Sequence, residues 1–189
     1  DSMNAERVLL ASEVCDIYCA VVCLLFTRAE CQSVGDGRWF VRTAAAYSKQ
    51  RVVFGRSIGA NQGVQFPIAQ AHIAVEAAAL MRDKAVARLE ALSASDTRAN
   101  DGSEQLQNEL KQAQRQAGVD SNMAKYLASE AAWQAANVCL DTHGGFGFAA
   151  DFDVERKFRE TRLYRTAPIS QNMVLAFVGE KALGMPRSY

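Results

Sequence analysis

The chain has 189 residues, 49% of them hydrophobic, and its 21 basic side chains balance its 21 acidic ones. That is enough chain for one well-filled core, and the zero net charge excludes a general electrostatic partner. A nucleic-acid backbone or an anionic membrane would need a basic surplus on one face.

Proline is confined to three residues and alanine runs without β-branched clusters, a composition that selects helix over sheet and predicts a single all-α domain. Near the amino terminus stand Cys15, Cys19, Cys23 and Cys31, with only Cys139 elsewhere. This is not the spaced disulfide framework of a small secreted protein, so the chain reads as one for a reducing compartment. The first three share one helical face but lack the close pair and distant second pair of soft-metal sites, and no metal is expected. The apolar run Ile17 to Phe26 is bracketed by Asp16 and Arg28, about eleven residues where a membrane span needs about 20. It does not span. No secretory signal opens the chain, and Arg187-Ser188-Tyr189 is not the Ser-Lys-Leu address of peroxisomes.

Trp39 to Gln50 reads as helix, and Phe54 to Gly63, punctuated by Gly55, Gly59 and Gly63, as a linker. From Phe66 the apolar positions Phe66, Ala69, Ile73, Ala77 and Leu80 recur at intervals of three and four, the stripe of an amphipathic helix running towards Leu92. Ser93 to Gly102 is polar and small, a loop, while Gln105 to Gln116 reads as a solvated helical extension. A second stripe, Met123, Leu127, Ala131, Ala135 and Val138, stops at His143-Gly144-Gly145-Phe146-Gly147, where glycine permits a tight turn and close backbone approach. The two stripes predict an antiparallel helix pair. Asp153 to Arg162 alternates acid and base on a short helix, Ala167-Pro168 breaks it, and Asn172 to Leu183 resumes an apolar helical pattern. About five helices follow, with no internal repeat.

As chemistry, Arg51 to Gln65 offers an arginine, the amides of Asn61 and Gln62, and loop backbone donors, a set able to read phosphate. Alone, it reads more readily as a solvated loop with an interhelical ion pair. His143 has no partner pattern for a metal or a nucleophile and is expected to cap.

Taken together the motifs carry more. Arg51-Val52-Val53-Phe54-Gly55, then Ile58, then Asn61-Gln62, resembles the R-x-x-F-G-x-x-I-x-x-x-Q signature of acyl-CoA dehydrogenases. Downstream, Thr142-His143-Gly144-Gly145-Phe146-Gly147 resembles that family's G-G-x-G turn, and Val154-Glu155-Arg156-Lys157-Phe158-Arg159-Glu160-Thr161-Arg162 resembles its V-E-R-x-x-R-D-x-R segment. The resemblance covers Asp1 to Glu13 and Val34 to Tyr189, apart from a lengthened inter-helix segment at residues 93–117.

It implies the carboxy-terminal domain of such an enzyme: an up-and-down four-helix bundle, homo-oligomers (dimer or tetramer) packed through it, and FAD lying partly against a neighbouring subunit. Arg51 sits where an arginine contacts the flavin pyrophosphate, with Phe54 in the same motif, and Gln62 where a glutamine reaches the adenosine part. Gly144 and Gly145 sit where backbone lies against the cofactor across the dimer interface. Asp141 departs from the glutamine common in the family, and a carboxylate there would repel a pyrophosphate.

The chemistry the resemblance implies is removal of the α-proton of an acyl-CoA thioester by a carboxylate, with hydride transfer from the β-carbon to flavin. Electrons would pass to an electron-transfer flavoprotein, or to oxygen in the oxidases. In many members the base precedes Gly-Thr after the R-D-x-R segment, but here that stretch is Ala167-Pro168-Ile169-Ser170, and Pro168 cannot take a proton. Members like isovaleryl-CoA dehydrogenase carry it instead on the first bundle helix in an L-x-x-E-R context, which Asn4-Ala5-Glu6-Arg7-Val8-Leu9 fits. Glu6 is therefore the expected base, with Asn4 and Arg7 near the thioester and CoA, and Ser170 and Asn172 replacing flavin-contacting Thr and Gln.

Val14 to Ser33 reads as an insertion within that first helix. Twenty extra helical residues add about 30 Å and a turn of roughly 200° beyond whole turns, which would swing Glu6 off the site. The helical and β-barrel domains that precede this region in the family are not in the chain, so it is expected to be a fragment, inactive alone. The competing expectation is a non-catalytic oligomerisation module of the same fold.

Overall fold

The computed structural model describes residues 30–96 and 104–188, and the side chains of all but 94–96 among them. The readings placed on Asn4, Glu6, Arg7, the Cys15, Cys19 and Cys23 face and the run Ile17 to Phe26 lie outside the described residues.

The first helix, α1, occupies residues 30–50 and is followed by a hairpin, β1 (Val52–Val53) and β2 (Arg56–Ser57), paired Val52 to Ser57 and Val53 to Arg56. Its two-residue turn puts both Phe54 (φ 51°) and Gly55 (φ 77°) in the left-handed region, which matches the twist of an antiparallel pair but is unusual for a phenylalanine. A 3₁₀ turn, Ile58–Ala60, leads into α2 (Gln62–Asp96), and α3 (Glu104–His143) returns along it. At 35 and 40 residues these two are the long members, roughly 50 and 60 Å. Two further 3₁₀ turns, Gly144–Phe148 and Ala150–Phe152, precede α4 (Val154–Arg162), and α5 (Gln171–Lys181) ends the ordered helices.

Contacts fix the directions. A Cβ on Gly37 of α1 would lie 2.8 Å from a Val75 methyl of α2 and 3.5 Å from Ala132 Cα of α3, so the three helices meet where α1 carries no side chain. Arg38 pairs with Glu76, and Tyr47 stacks on His143, so α1 runs against α2 and with α3. Gln171 reaches Ser129 while Arg115 reaches the Lys181 carbonyl, so α5 runs against α3. Helices α1, α2, α3 and α5 thus form the expected up-and-down bundle, with α4 as a short cross-member.

The core is built mostly from alanines around Phe40, Val34, Val75 and Val154. The α2 residues facing it are Ile68, Ala71, Val75, Ala78 and Ala79. The periodic stripe Phe66, Ala69, Ile73, Ala77 and Leu80 is the opposite, exposed face. Polar clamps hold the elements together. Asp120, 1% exposed, accepts from Lys84 at 3.1 Å and Arg88 at 2.6 Å. Asp36 accepts from Lys157 at 2.5 Å and from the Tyr164 hydroxyl at 2.7 Å. Buried Lys125 donates to the Ile169 carbonyl at 2.7 Å, seating the segment before α5.

Candidate functional site

The end of α1, the hairpin and the end of α3 enclose an open cleft of about 480 Å³ lined by Tyr47, Arg51, Val53, Ile58 and the run Asp141 to Phe146. Arg51, Asp141, Gly144 and Gly145, singled out from motifs far apart in the chain, therefore share one site. The fold does this by running α1 parallel to α3, so that both helices end at the same level.

Arg51 stands exposed at the last turn of α1, its backbone N–H on the Tyr47 carbonyl at 2.9 Å. Its guanidinium carbon lies 5.6 Å from the centre of the Phe146 ring, and among the described residues no carboxylate pairs with it. Opposite, Gly144 takes φ +57°, and a Cβ on Gly144 or Gly145 would meet nothing within 4 Å, so this backbone is bare towards the opening. A cation facing exposed backbone suits a phosphate-bearing ligand. Asp141, also exposed on this wall, sets a negative charge against it.

The turn itself is fixed by packing. Gly147 is buried because a Cβ there would stand 2.9 Å from Leu140 Cδ1 and 3.0 Å from the Leu140 carbonyl. His143, 3% exposed, is the last residue of α3, and its Nδ1 lies 2.8 Å from the Cys139 carbonyl one turn back, a contact inside the helix and not a cap on its free end. Its ring is stacked at 4.1 Å on Tyr47 and set edge-on to Phe152 at 5.8 Å. Burial pushes the neighbouring Cys139 thiol up to about 12, which keeps it in the protonated form. No group of metal-ligating side chains occurs among the described residues.

The other predicted residues are elsewhere. Phe54, fully exposed at the hairpin tip, and Gln62, exposed at the start of α2, stand near the cleft without lining it. Asn61 is held by Arg56 at 2.6 Å. Ser170 and Asn172 open α5 beside Ser129 of α3, about 20 Å down that helix from Gly144. Neither residue lines the cleft. Tyr47 was not anticipated, although its place four residues before Arg51 on one helical face was the available signal.

Comparison with known proteins agrees with the motifs. Residues 17–182 match the family model described as acyl-CoA dehydrogenase, C-terminal domain, a range that includes residues 17–33 of the stretch read as an insertion. The chain belongs to the acyl-CoA dehydrogenase family. It is 38% identical over 157 residues to the acyl-CoA dehydrogenase FadE12 of Mycobacterium tuberculosis, covering 83% of this chain and 35% of that one. To the 3-(aryl)acrylate reductase of Clostridium sporogenes it is 30% identical over 148 residues, 77% of this chain and 33% of that one. Among solved structures the fold is similar to a glutaryl-coenzyme A dehydrogenase complex, with a TM-score of 0.68 and 24% identity over 91% of this chain and 38% of the other. A steroid acyl-CoA dehydrogenase variant gives 0.70 and 22%, over 86% and 39%. The chain spans about a third of the length of the curated relatives it matches.

Proposed function

We propose that this chain is the cofactor-seating bundle of an FAD-dependent acyl-CoA dehydrogenase that desaturates an acyl-CoA thioester between its α and β carbons, and that it does not turn over alone. The observation that carries the reading is the convergence of Arg51, which pairs with no carboxylate among the described residues, with the bare Gly144-Gly145 backbone on one cleft. Arg51 would hold the pyrophosphate by charge and the glycine backbone would lie along it, while Phe146 and Tyr47 wall the site. When bound, FAD supplies the acceptor for the β-hydride. Glu6 takes the α-proton, with Asn4 and Arg7 placing the thioester. Ser170 and Asn172, further along α3 from the cleft, would meet another part of the cofactor or a second copy of it, in keeping with a flavin shared between subunits. Electrons then leave to an electron-transfer flavoprotein.

The insertion reading of residues 14–33 is motivated by Glu30, a buried carboxylate without a hydrogen-bond partner among the described residues, and is opposed by the family-model match across residues 17–33. A mature transcript encoding 14–33 at high abundance overturns that part.

Two measurements test the rest. The purified 189-residue chain is expected to show neither flavin absorbance nor acyl-CoA dehydrogenation above background, and stoichiometric FAD with turnover would refute incompleteness. With the chain grafted in place of the matching third of a full-length relative, Arg51→Ala should weaken FAD binding by about 10- to 100-fold, the loss of a charge-assisted contact. Asp141→Gln should strengthen it, because a repelling carboxylate is removed. Equal FAD content in the Arg51→Ala graft and its parent places the cofactor elsewhere.

A further inference from the structure

Between them α1 and α2 form a second opening, a groove of about 460 Å³ that shares no lining residue with the cleft at Arg51. Small-molecule sites occupy roughly 300 to 1,000 Å³, so it is large enough to hold one. Its register is set by the fork of Arg38 on Glu76, Nε on one carboxylate oxygen at 2.8 Å and a terminal nitrogen on the other at 2.7 Å. The two helices run against one another, so each step forward on α1 answers a step back on α2. Arg42 therefore stands level with His72, and Ala45 with Ala69, on opposite walls of the groove.

Each level has its own chemistry. At one end the Arg38–Glu76 fork is neutral as a pair. One turn on, Arg42 and His72 have no carboxylate between them: Glu76, the only acid lining the groove, is held by Arg38, and Arg42 pairs with none among the described residues. Beyond that level the walls turn apolar, with Val41 and Ile68 beside the facing alanines, whose small side chains deepen the trough. The segregation of charge is wider than the groove. Between Asp36 and Glu76 the sequence has no acidic residue, yet Arg38, Arg42, Lys49, Arg51 and Arg56 all fall there, in a chain whose charges otherwise balance. An uncompensated cation one turn from an apolar trough is complementary to an anion that carries an aliphatic tail.

We infer that the α1–α2 groove binds an aliphatic carboxylate, its head between Arg42 and His72 and its chain along Ala45 and Ala69 towards Gln65. One guanidinium free to make a forked pair matches a monoanionic carboxylate. A phosphate dianion would call for a second permanent charge, and the nearest one lining the groove, Arg38, is engaged by Glu76. From the level of His72 to that of Gln65 the trough runs roughly 10 Å along α2, so affinity should depend on the length of the chain.

The groove lies wholly within the chain, so the full 189-residue chain is the sample and the outcome does not depend on flavin. Titration calorimetry with hexanoate, octanoate and decanoate, all below micelle formation, is expected to show one site. Affinity should rise about two- to fourfold per added methylene until the trough is filled. Decanol, which lacks the charge, and acetate, which lacks the chain, should each bind at least about 10-fold more weakly than decanoate. Arg42→Gln should weaken decanoate about 10- to 100-fold. Ala69→Leu, which fills the trough, should flatten the dependence on chain length; both positions are exposed, so helical circular dichroism should not change. The chain-length series on the parent needs no variant and decides the matter even if one folds poorly. Equal affinity for decanoate and decanol, no dependence on chain length, tighter binding of decyl phosphate than of decanoate, or undiminished decanoate binding by Arg42→Gln would each overturn the proposal.

Discussion

Glu30→Leu is expected to stabilise the folded chain at pH 9 by on the order of 4 kcal/mol and to leave it nearly unchanged at pH 4. Glu30 opens the described part of α1, is 1% exposed, and neither carboxylate oxygen has a hydrogen-bond partner among the described residues. Burial raises its carboxyl from 4.5 to about 8, against the opposing pull of Arg82 and Lys125. The sign follows from proton counting. Below about 4.5 the acid is protonated whether the chain is folded or not, and it costs no ionisation penalty. As pH rises from there to about 8, the unfolded chain has given up the proton while the folded chain keeps it, so unfolding becomes progressively more favourable. Above about 8 the folded state must carry a buried charge, and the whole penalty is present. Urea unfolding of parent and variant between pH 5 and 9 reads this directly. The parent should weaken with rising pH and the variant should lack that slope; equal slopes would mean that Glu30 is solvated.

The same residue illustrates what sequence reasoning could and could not reach. Glu30 sits in no hydrophobic period, and its burial goes with its place at the start of the described part of α1, four residues before buried Val34. Helix α2 is the sharper case. It has two apolar faces, and the one with the larger side chains, Phe66, Ile73 and Leu80, is the face on solvent, while small residues such as Ala71 and Ala78 face the core. Periodicity finds helices but cannot choose between faces, because that choice depends on what α1 and α3 present, and at Gly37 α1 presents no side chain. Helix α3 extends through the polar stretch Gln105 to Gln116 without a break, as expected, and the buried Asp120 with Lys84 and Arg88 anchors the turn that follows. The hairpin at Val52 to Ser57 left too short a pattern to be read as strand. At the cleft, Arg51 and Gly144-Gly145 could be connected only through the family motifs, since nothing in their spacing says that α1 and α3 end at one level. Neither the stacking of His143 on Tyr47 nor its contact with the Cys139 carbonyl was legible, because both depend on how α1 and α3 pack.

That shared level makes the core and the cleft dependent on one another, and Phe40 is where the dependence is testable. Phe40 is the largest fully buried side chain, in a core whose buried members are mostly alanine and valine with Ile68 and Cys139. Short, stiff neighbours cannot move in to fill a void, so Phe40→Ala should leave most of its cavity open and cost about 3 to 5 kcal/mol, at the upper end for such truncations. Tyr47 lies seven residues further along the same face of α1, stacked on His143, and Arg51 follows one turn later. If α1 is held in register mainly by Phe40, the same substitution in the grafted full-length enzyme should reduce FAD content as well as stability, although Phe40 does not line the cleft. Phe40→Leu, which keeps most of the volume, should restore both in parallel. Loss of stability with full FAD content would show instead that Tyr47 and His143 fix the end of α1 by themselves, and that the cleft is a locally closed unit independent of the bundle core.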